Sequence, residues 1–265
     1  MGKTKLAISG VSKTYGAGPT AVAALDNISI DIAEGDFVSV VGPSGCGKTT
    51  LLWIIAGLQD ATRGTLSLDG QGLSGPNPQI GMMFQEANLL PWKTVRQNVE
   101  LPFEIRKQPV PHERIDMLLQ RVGLDEFGDS MPRELSGGMQ QRAAIVRALA
   151  PDPDVLLMDE PFGALDAFTR DEMNILIEEI WMETGKTVIL ITHSIEEAVF
   201  LSNKVHVFSA RPGRLERTVD VPFARKRTFG LIRTQPFFEM VNEIKAVIRD
   251  ERNDSASNSK KAKVA

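Results

Sequence analysis

An apolar run, residues 37–41, leads without a break into Gly42-Pro43-Ser44-Gly45-Cys46-Gly47-Lys48-Thr49-Thr50. Few local sequences restrict a chain more. The run fits the pattern G-x-x-x-x-G-K-[ST] at Gly42, Gly47, Lys48 and Thr49, and it calls for a strand, a tight loop and a helix in that order. Glycines let the backbone bend until its N–H groups point inward at phosphate oxygens. A helix expected over residues 49–56 adds the positive end of its dipole. Lys48 supplies a point charge for the outer phosphates, and the Thr49 hydroxyl suits a Mg²⁺ ion. The loop reads as a cradle for a nucleoside triphosphate.

A second phosphate-binding device stands far downstream. In Leu135-Ser136-Gly137-Gly138-Met139-Gln140, Ser136 is a good N-cap for a helix expected over 137–150. One chain carrying both devices suggests a nucleotide held between two copies of the protein. Between them, an expected strand over 80–84 ends at Gln85.

The 265 residues suit one large α/β domain, or one domain with a subdomain. A net charge of −4 proposes no nucleic acid as partner. No apolar run reaches the length of a membrane span, and the first residues lack the apolar stretch of a signal peptide. Any membrane role is therefore expected to come through a partner, with no direct lipid anchor. The single cysteine, Cys46, rules out an internal disulfide and fits a reducing cytosol.

The N-terminal part reads as strands near 5–9, 21–32 and 37–41, with an alternating strand over 64–70. Two helices, 94–106 and 111–122, are separated by Pro109 and Pro111. After residue 155 strand and helix alternate, which argues for parallel strands with crossover helices. Met173, Leu176, Ile177, Ile180 and Trp181 recur at helical spacing. Strands near 204–209 and 214–221 close the fold, and 236–249 forms an amphipathic helix.

The apolar run 155–158 ends in two adjacent carboxylates. Strand geometry sends neighbouring side chains to opposite faces, so Asp159 and Glu160 are free to do different work. Asp159 suits Mg²⁺, and Glu160 suits the role of general base toward an attacking water. His193 follows another apolar strand, 187–192, from which it can reach a γ-phosphate or serve the packing alone. His112 and His206 read as structural. Tyr15, beside Gly16-Ala17-Gly18, either stacks on adenine or packs on its own loop. No Cys/His/Asp cluster has metal-site spacing.

Taken together, these residues resemble the nucleotide-binding subunit of an ATP-binding cassette (ABC) transporter, along residues 6–221. The resemblance implies a P-loop NTPase domain of the ABC type: α/β, with a mixed sheet, a helical subdomain and an N-terminal antiparallel β subdomain. Gly42 to Thr50 is similar to the Walker A loop and Tyr15 to the adenine-stacking aromatic. Gln85 resembles the Q-loop glutamine, which senses Mg²⁺ and the membrane partner. Leu135 to Gln140 resembles the family signature, residues 155–160 the Walker B strand with catalytic Glu160, Asp166 the D-loop aspartate, and His193 the switch histidine. No departure occurs at these positions, so both sites of a homodimer should be competent with ATP and Mg²⁺. The implied domains are 4–222 for ATP binding, with about 86–131 helical; 223–252 as a C-terminal helical extension; and 253–265 as a disordered tail.

Residues 85–92 and 209–214 further resemble importers of nitrate, aliphatic sulfonates and taurine. That implies a permease, an external substrate-binding protein and a peripheral place on the cytoplasmic face of the membrane. Trp92 reads equally as a partner contact or as core. An exporter, a lipid-extraction system and a soluble ABC ATPase remain alternatives. Cys46, just before a helix N-terminus, stands where a thiol pKa tends to fall.

Overall fold

The computed structural model describes residues 2–249 in full and the backbone of the last helix to residue 262. Its contacts divide the chain into two units, Met1–Asn77 with Ile189–Ala265, and Pro78–Val188.

The first unit opens with β1 (Thr4–Tyr15), β2 (Val22–Ala33), β3 (Phe37–Val41), α1 (Lys48–Ile55), β4 (Arg63–Leu68) and β5 (Gln71–Gly72). An antiparallel sheet runs in the order β2-β1-β4-β5. The first strand continues well past residue 9, where the sequence suggested a stop. Gly10 takes a φ of 61°, and the register with β2 slips between Ile8 and Val11. The bulge absorbs one residue, so Leu6, Ile8 and Val11 all stay buried, opposite Ile32, Ile30 and Ile28. The bulge at Gly10 keeps one long strand in phase. Every residue of β3 is buried, as befits a strand covered on both faces.

The second unit contains β6 (Ile80–Met83), α2 (Val95–Arg106), α3 (His112–Arg121), α4 (Gly137–Leu149), β7 (Val155–Asp159) and α5 (Ala167–Thr184). β6 and β7 pair in parallel, Ile80 against Val155 through Met83 against Met158. Thr94 and Gln97 form a reciprocal capping box that starts α2. Asn98, fully buried, accepts from the Leu90 amide at 2.7 Å and donates to the carbonyls of Leu90, Lys93 and Thr94. The loop before α2 is thereby fixed, and it presents Trp92, 70% exposed. Of the two readings of Trp92, core is excluded. Arg121 of α3 pairs with Glu179 and Glu183 of α5, at 3.0 and 2.7 Å. On α5, Met173, Leu176, Ile177 and Ile180 are buried as their spacing indicates, whereas Trp181 is half-buried.

The chain returns to the first unit within β8 (Thr187–Ile191), and α6 (Ile195–Leu201), β9 (Lys204–Phe208), β10 (Leu215–Asp220), α7 (Phe229–Ile232) and α8 (Gln235–Ala262) follow. β9 runs parallel to β3, Val38 against Lys204 through Val41 against Val207, and antiparallel to β10. The sheet is therefore mixed. On α8, Phe237, Val241 and Ile244 are buried; each such side chain stabilises by about 1.5–3 kcal/mol. The tail expected over 253–265 lies outside the fully described residues. No helix among the described residues is long and apolar enough to cross a membrane.

Candidate functional site

In the first unit the glycine-rich loop joins β3 to α1. Gly45 and Gly47 take φ values of 76° and 100°, which L side chains rarely adopt. The loop is also closely packed: a Cβ on Gly47 would stand 2.7 Å from the Ala24 carbonyl oxygen, and one on Gly42 2.8 Å from that of Phe208. Gly47 is the N-cap of α1 and offers it no side-chain acceptor. The first backbone bond of the helix runs from the Leu51 amide to the Gly47 carbonyl, at 2.9 Å. Amides earlier in that turn have no acceptor within the helix, as an anion site requires. Lys48 is buried, and its Nζ donates to the carbonyls of Gly42 and Pro43 at 3.0 and 3.1 Å. Pro43, Ser44 and Thr50 lie in the same loop and first turn. The cradle fits a chain of phosphates.

Two residues that sequence reasoning did not assign to this site support the loop. Arg211 Nε donates to the Gly45 carbonyl at 3.2 Å. At Gly213 a Cβ would stand 2.0 Å from the Cys46 carbonyl oxygen, so only glycine fits. Gly213 also exchanges backbone bonds with β2, its amide to Ala24 and the Asp26 amide to its carbonyl, both at 2.9 Å. Run 209–214, read above only as a mark of resemblance, is thus a brace for the phosphate loop. Its signal, an Arg-Pro-Gly-Arg turn, does not announce which loop it touches.

Tyr15 comes beside α1. Its hydroxyl donates to Gln59 Oε1 at 2.6 Å and lies 3.2 Å from Thr50 Oγ1, with the ring 37% exposed. His193 is exposed just after β8. The Ser194 amide donates to Thr192 Oγ1 at 3.0 Å, and Ser194 Oγ accepts from the Glu197 amide at 3.1 Å, capping α6. Cys46 departs from expectation. It is 1% exposed, and burial pushes its thiol up, outweighing the nearby charge of Lys48. His112 stands 3.4 Å from Glu100 on the surface, and His206 is buried against Thr218 Oγ1 at 2.9 Å.

In the second unit Asp159 is the buried last residue of β7. Glu160 lies beyond the strand and takes a φ of 46°. The two carboxylates are therefore separated by a sharp turn of the backbone, not by strand alternation. Residues other than glycine are uncommon in that region. Gln85 is exposed, and its carbonyl accepts from Gln141 Nε2 at 2.9 Å.

The Ser-Gly-Gly turn caps α4, with Ser136 Oγ accepting from the Met139 amide at 3.3 Å. Around Gly137 the space is open, the nearest atom to a Cβ being Leu165 Cδ2 at 3.9 Å; at Gly138 a Cβ would strike Thr169 Cγ2 at 2.6 Å. Gly138 thus has an internal steric reason to be glycine. Asp166 caps α5, accepting from the amides of Phe168 and Thr169 at 3.0 Å and from Thr169 Oγ1 at 2.8 Å. The Thr169 amide and hydroxyl, with the Phe168 amide, hold its carboxyl below the usual range.

Thr49 of the first unit, and Gln85 and Asp159 of the second, each carry a hard oxygen of the kind Mg²⁺ takes. Among the described residues no group of three or more His, Cys, Asp or Glu could hold a metal by itself.

A family model described as ABC transporter matches residues 25–163. The aliphatic sulfonates import ATP-binding protein SsuB of Bacillus licheniformis is 44% identical over 84% of this chain and 88% of its own. The nitrate import ATP-binding protein NrtD of a Synechocystis strain is 43% identical over 94% and 97%. Among solved structures, a dimeric, post-hydrolysis state of the ATP-binding cassette MJ0796 bound to ADP and Pi matches with a TM-score of 0.72 and 35% identity, over 83% of this chain and 100% of that one.

Proposed function

The chain belongs to the ABC transporter family of ATP-binding proteins, and we propose that it is the ATP-hydrolysing subunit powering import of a small anion or organic sulfonate, of the nitrate, aliphatic sulfonate or taurine type. The observation that carries this reading is the closely packed loop from Gly42 to Thr50, with Lys48 turned into it and α1 uncapped behind it. The import relatives narrow the substrate class.

In this reading Lys48 and the loop amides bind the phosphates, and the ring of Tyr15 stacks on the adenine. Glu160 accepts a proton from the water that attacks the γ-phosphorus, while the bond to the ADP oxygen breaks. His193 holds the γ-phosphate in line for that attack. Thr49, Gln85 and Asp159 would hold Mg²⁺, which would supply positive charge to the phosphates. Two copies pair, so that Ser136, Gly137 and Gly138 of one complete the site of the other, with Asp166 at the seam. Closure and reopening pull on a permease at the cytoplasmic face of the membrane, and Trp92 suits that contact: an exposed aromatic on a fixed loop. An external binding protein delivers the solute.

The test is uptake. Cells lacking this chain should lose high-affinity accumulation of labelled taurine, an alkanesulfonate or nitrate, and regain it with the wild-type chain but not with Lys48→Ala. Unchanged uptake of all three solutes would refute the importer assignment.

A further inference from the structure

α6 starts two residues after His193, and the chain beyond β10 holds it at both ends. Arg227 is 1% exposed. One of its guanidinium nitrogens donates to the carbonyls of Val199, Phe200 and Ser202, at 2.9, 2.7 and 3.0 Å, and the other to that of Phe223 at 3.1 Å. Arg225 donates to the Leu201 carbonyl at 2.7 Å. The carbonyls of the last helical turn have no partner within a helix, and a cation there also meets the negative end of the helix dipole. At the other end, Lys245 of α8 pairs with Glu196, in the first turn, at 2.7 Å. Between these anchors Phe229 stacks on Phe200 with ring centroids 6.2 Å apart, and Phe237, Val241 and Ile244 of α8 are buried. Burial pushes the Glu196 carboxyl up, but the bond and charge of Lys245 together with a backbone bond outweigh it and hold it below its ordinary value.

The residues flanking His193 are tied to α6: the Ser194 amide donates to Thr192 Oγ1, and the Glu197 amide donates to Ser194 Oγ. These bonds fix the backbone on both sides of His193 to the start of α6. We infer that the segment after β10 is a positioning element for His193, with Arg227 as its principal residue: by fixing α6 it sets where the histidine stands. The reaction tolerates little displacement of such a group, since a shift of about 1 Å can cost about a hundredfold in rate. This rests on the proposed role of His193 at the γ-phosphate.

The experiment compares Arg227→Met, Arg227→Lys, Lys245→Glu, the swap Lys245→Glu with Glu196→Lys, and His193→Ala in the full chain. The readouts are kcat, KM for ATP, binding of a fluorescent ATP analogue, and amide hydrogen exchange over 193–201. Arg227→Met should lower kcat by about tenfold or more. KM and analogue binding should stay within about twofold, while exchange over α6 speeds up. Arg227→Lys should recover part of the rate. Lys245→Glu should quicken exchange in the first turn of α6, and the swap should reverse it.

A folded Arg227→Met with wild-type kcat, or with KM raised as much as kcat falls, overturns the inference. If Arg227→Met does not fold, Lys245→Glu decides: unchanged exchange over α6 overturns it. His193→Ala with wild-type kcat would refute the role given to the histidine itself. An inactive His193→Ala beside a fully active Arg227→Met would refute only the positioning.

Discussion

Gln141, on α4, donates its side-chain amide to the backbone carbonyl of Gln85 at 2.9 Å. The same helix begins at the Ser136 cap, and further along Arg147 donates to the carbonyls of Ala87 and Asn88, at 2.6 and 2.7 Å. One helix therefore carries the Ser-Gly-Gly turn at its start and holds the Gln85 segment along its side. Gln141→Leu keeps the volume and removes the donor. Losing a part-buried bond of this kind costs about 0.5–1.5 kcal/mol. The urea midpoint should fall with the slope unchanged; an unchanged midpoint would show that this bond adds nothing to the segment's stability.

Arg211 braces the phosphate loop through Gly45. In Arg211→Ala the loop has one restraint fewer, so binding must supply the ordering that the brace now provides. The KM for ATP should rise by about three- to tenfold with a smaller change in kcat. A fall in kcat at constant KM would mean that Arg211 acts on the chemistry instead.

His206 gives the fold an acid-sensitive point. Burial lowers its pKa to about 4, aided by the charge of Lys204 and opposed by Asp36 and Asp220. Above about pH 6.5 neither the folded nor the unfolded chain holds the proton. Between about 6.5 and 4 the unfolded chain binds it and the folded chain does not, so stability falls as pH drops through that window. At pH 5 the loss from this group is on the order of 2 kcal/mol. His206→Gln should show a smaller difference in urea midpoint between pH 7 and pH 5 than the wild type. An equal difference would assign the acid sensitivity to other groups.

The composite nature of the site can be tested by mixing two inactive chains. Gly138→Asp is a poor lesion for this purpose, because a side chain there strikes Thr169 of its own chain. Gly137→Asp is better, since the space around Gly137 is open within the chain. A dimer of Lys48→Ala with Gly137→Asp places both lesions in one site and leaves the other intact. Random pairing should restore up to about a quarter of wild-type hydrolysis, while each homodimer stays inactive. No restoration would favour sites built within one chain, or strict coupling between sites.

What the sequence makes legible is local. The phosphate loop, the capped turn at Ser136 and the strand leading to Asp159 are contiguous runs whose chemistry follows from residue order, and the structure forms each of them where that order indicates. Contacts between distant parts of the chain are not written in any one segment. Arg211 meets Gly45 across 166 positions, and Arg227 satisfies α6 from beyond two further strands, β9 and β10. Cys46 shows the cost of reasoning from position alone: a helix start favours the thiolate, yet burial reverses the direction. Glu160 was expected to differ from Asp159 by strand alternation and instead does so by leaving the strand at a positive φ. The strand expected over 5–9 runs on to Tyr15 through a bulge between Ile8 and Val11.

The measurement that bears most directly on the central claim is hydrolysis by Glu160→Gln. The amide keeps the shape of the carboxylate and cannot accept the proton, so ATP should bind with its normal affinity while turnover falls by about a hundredfold or more. With ATP trapped, the isolated subunit should sediment as a dimer in ATP and as a monomer in ADP. A Glu160→Gln chain that hydrolyses ATP at a rate close to wild type would contradict the account, because the residue at the turn after β7 would then not be the base.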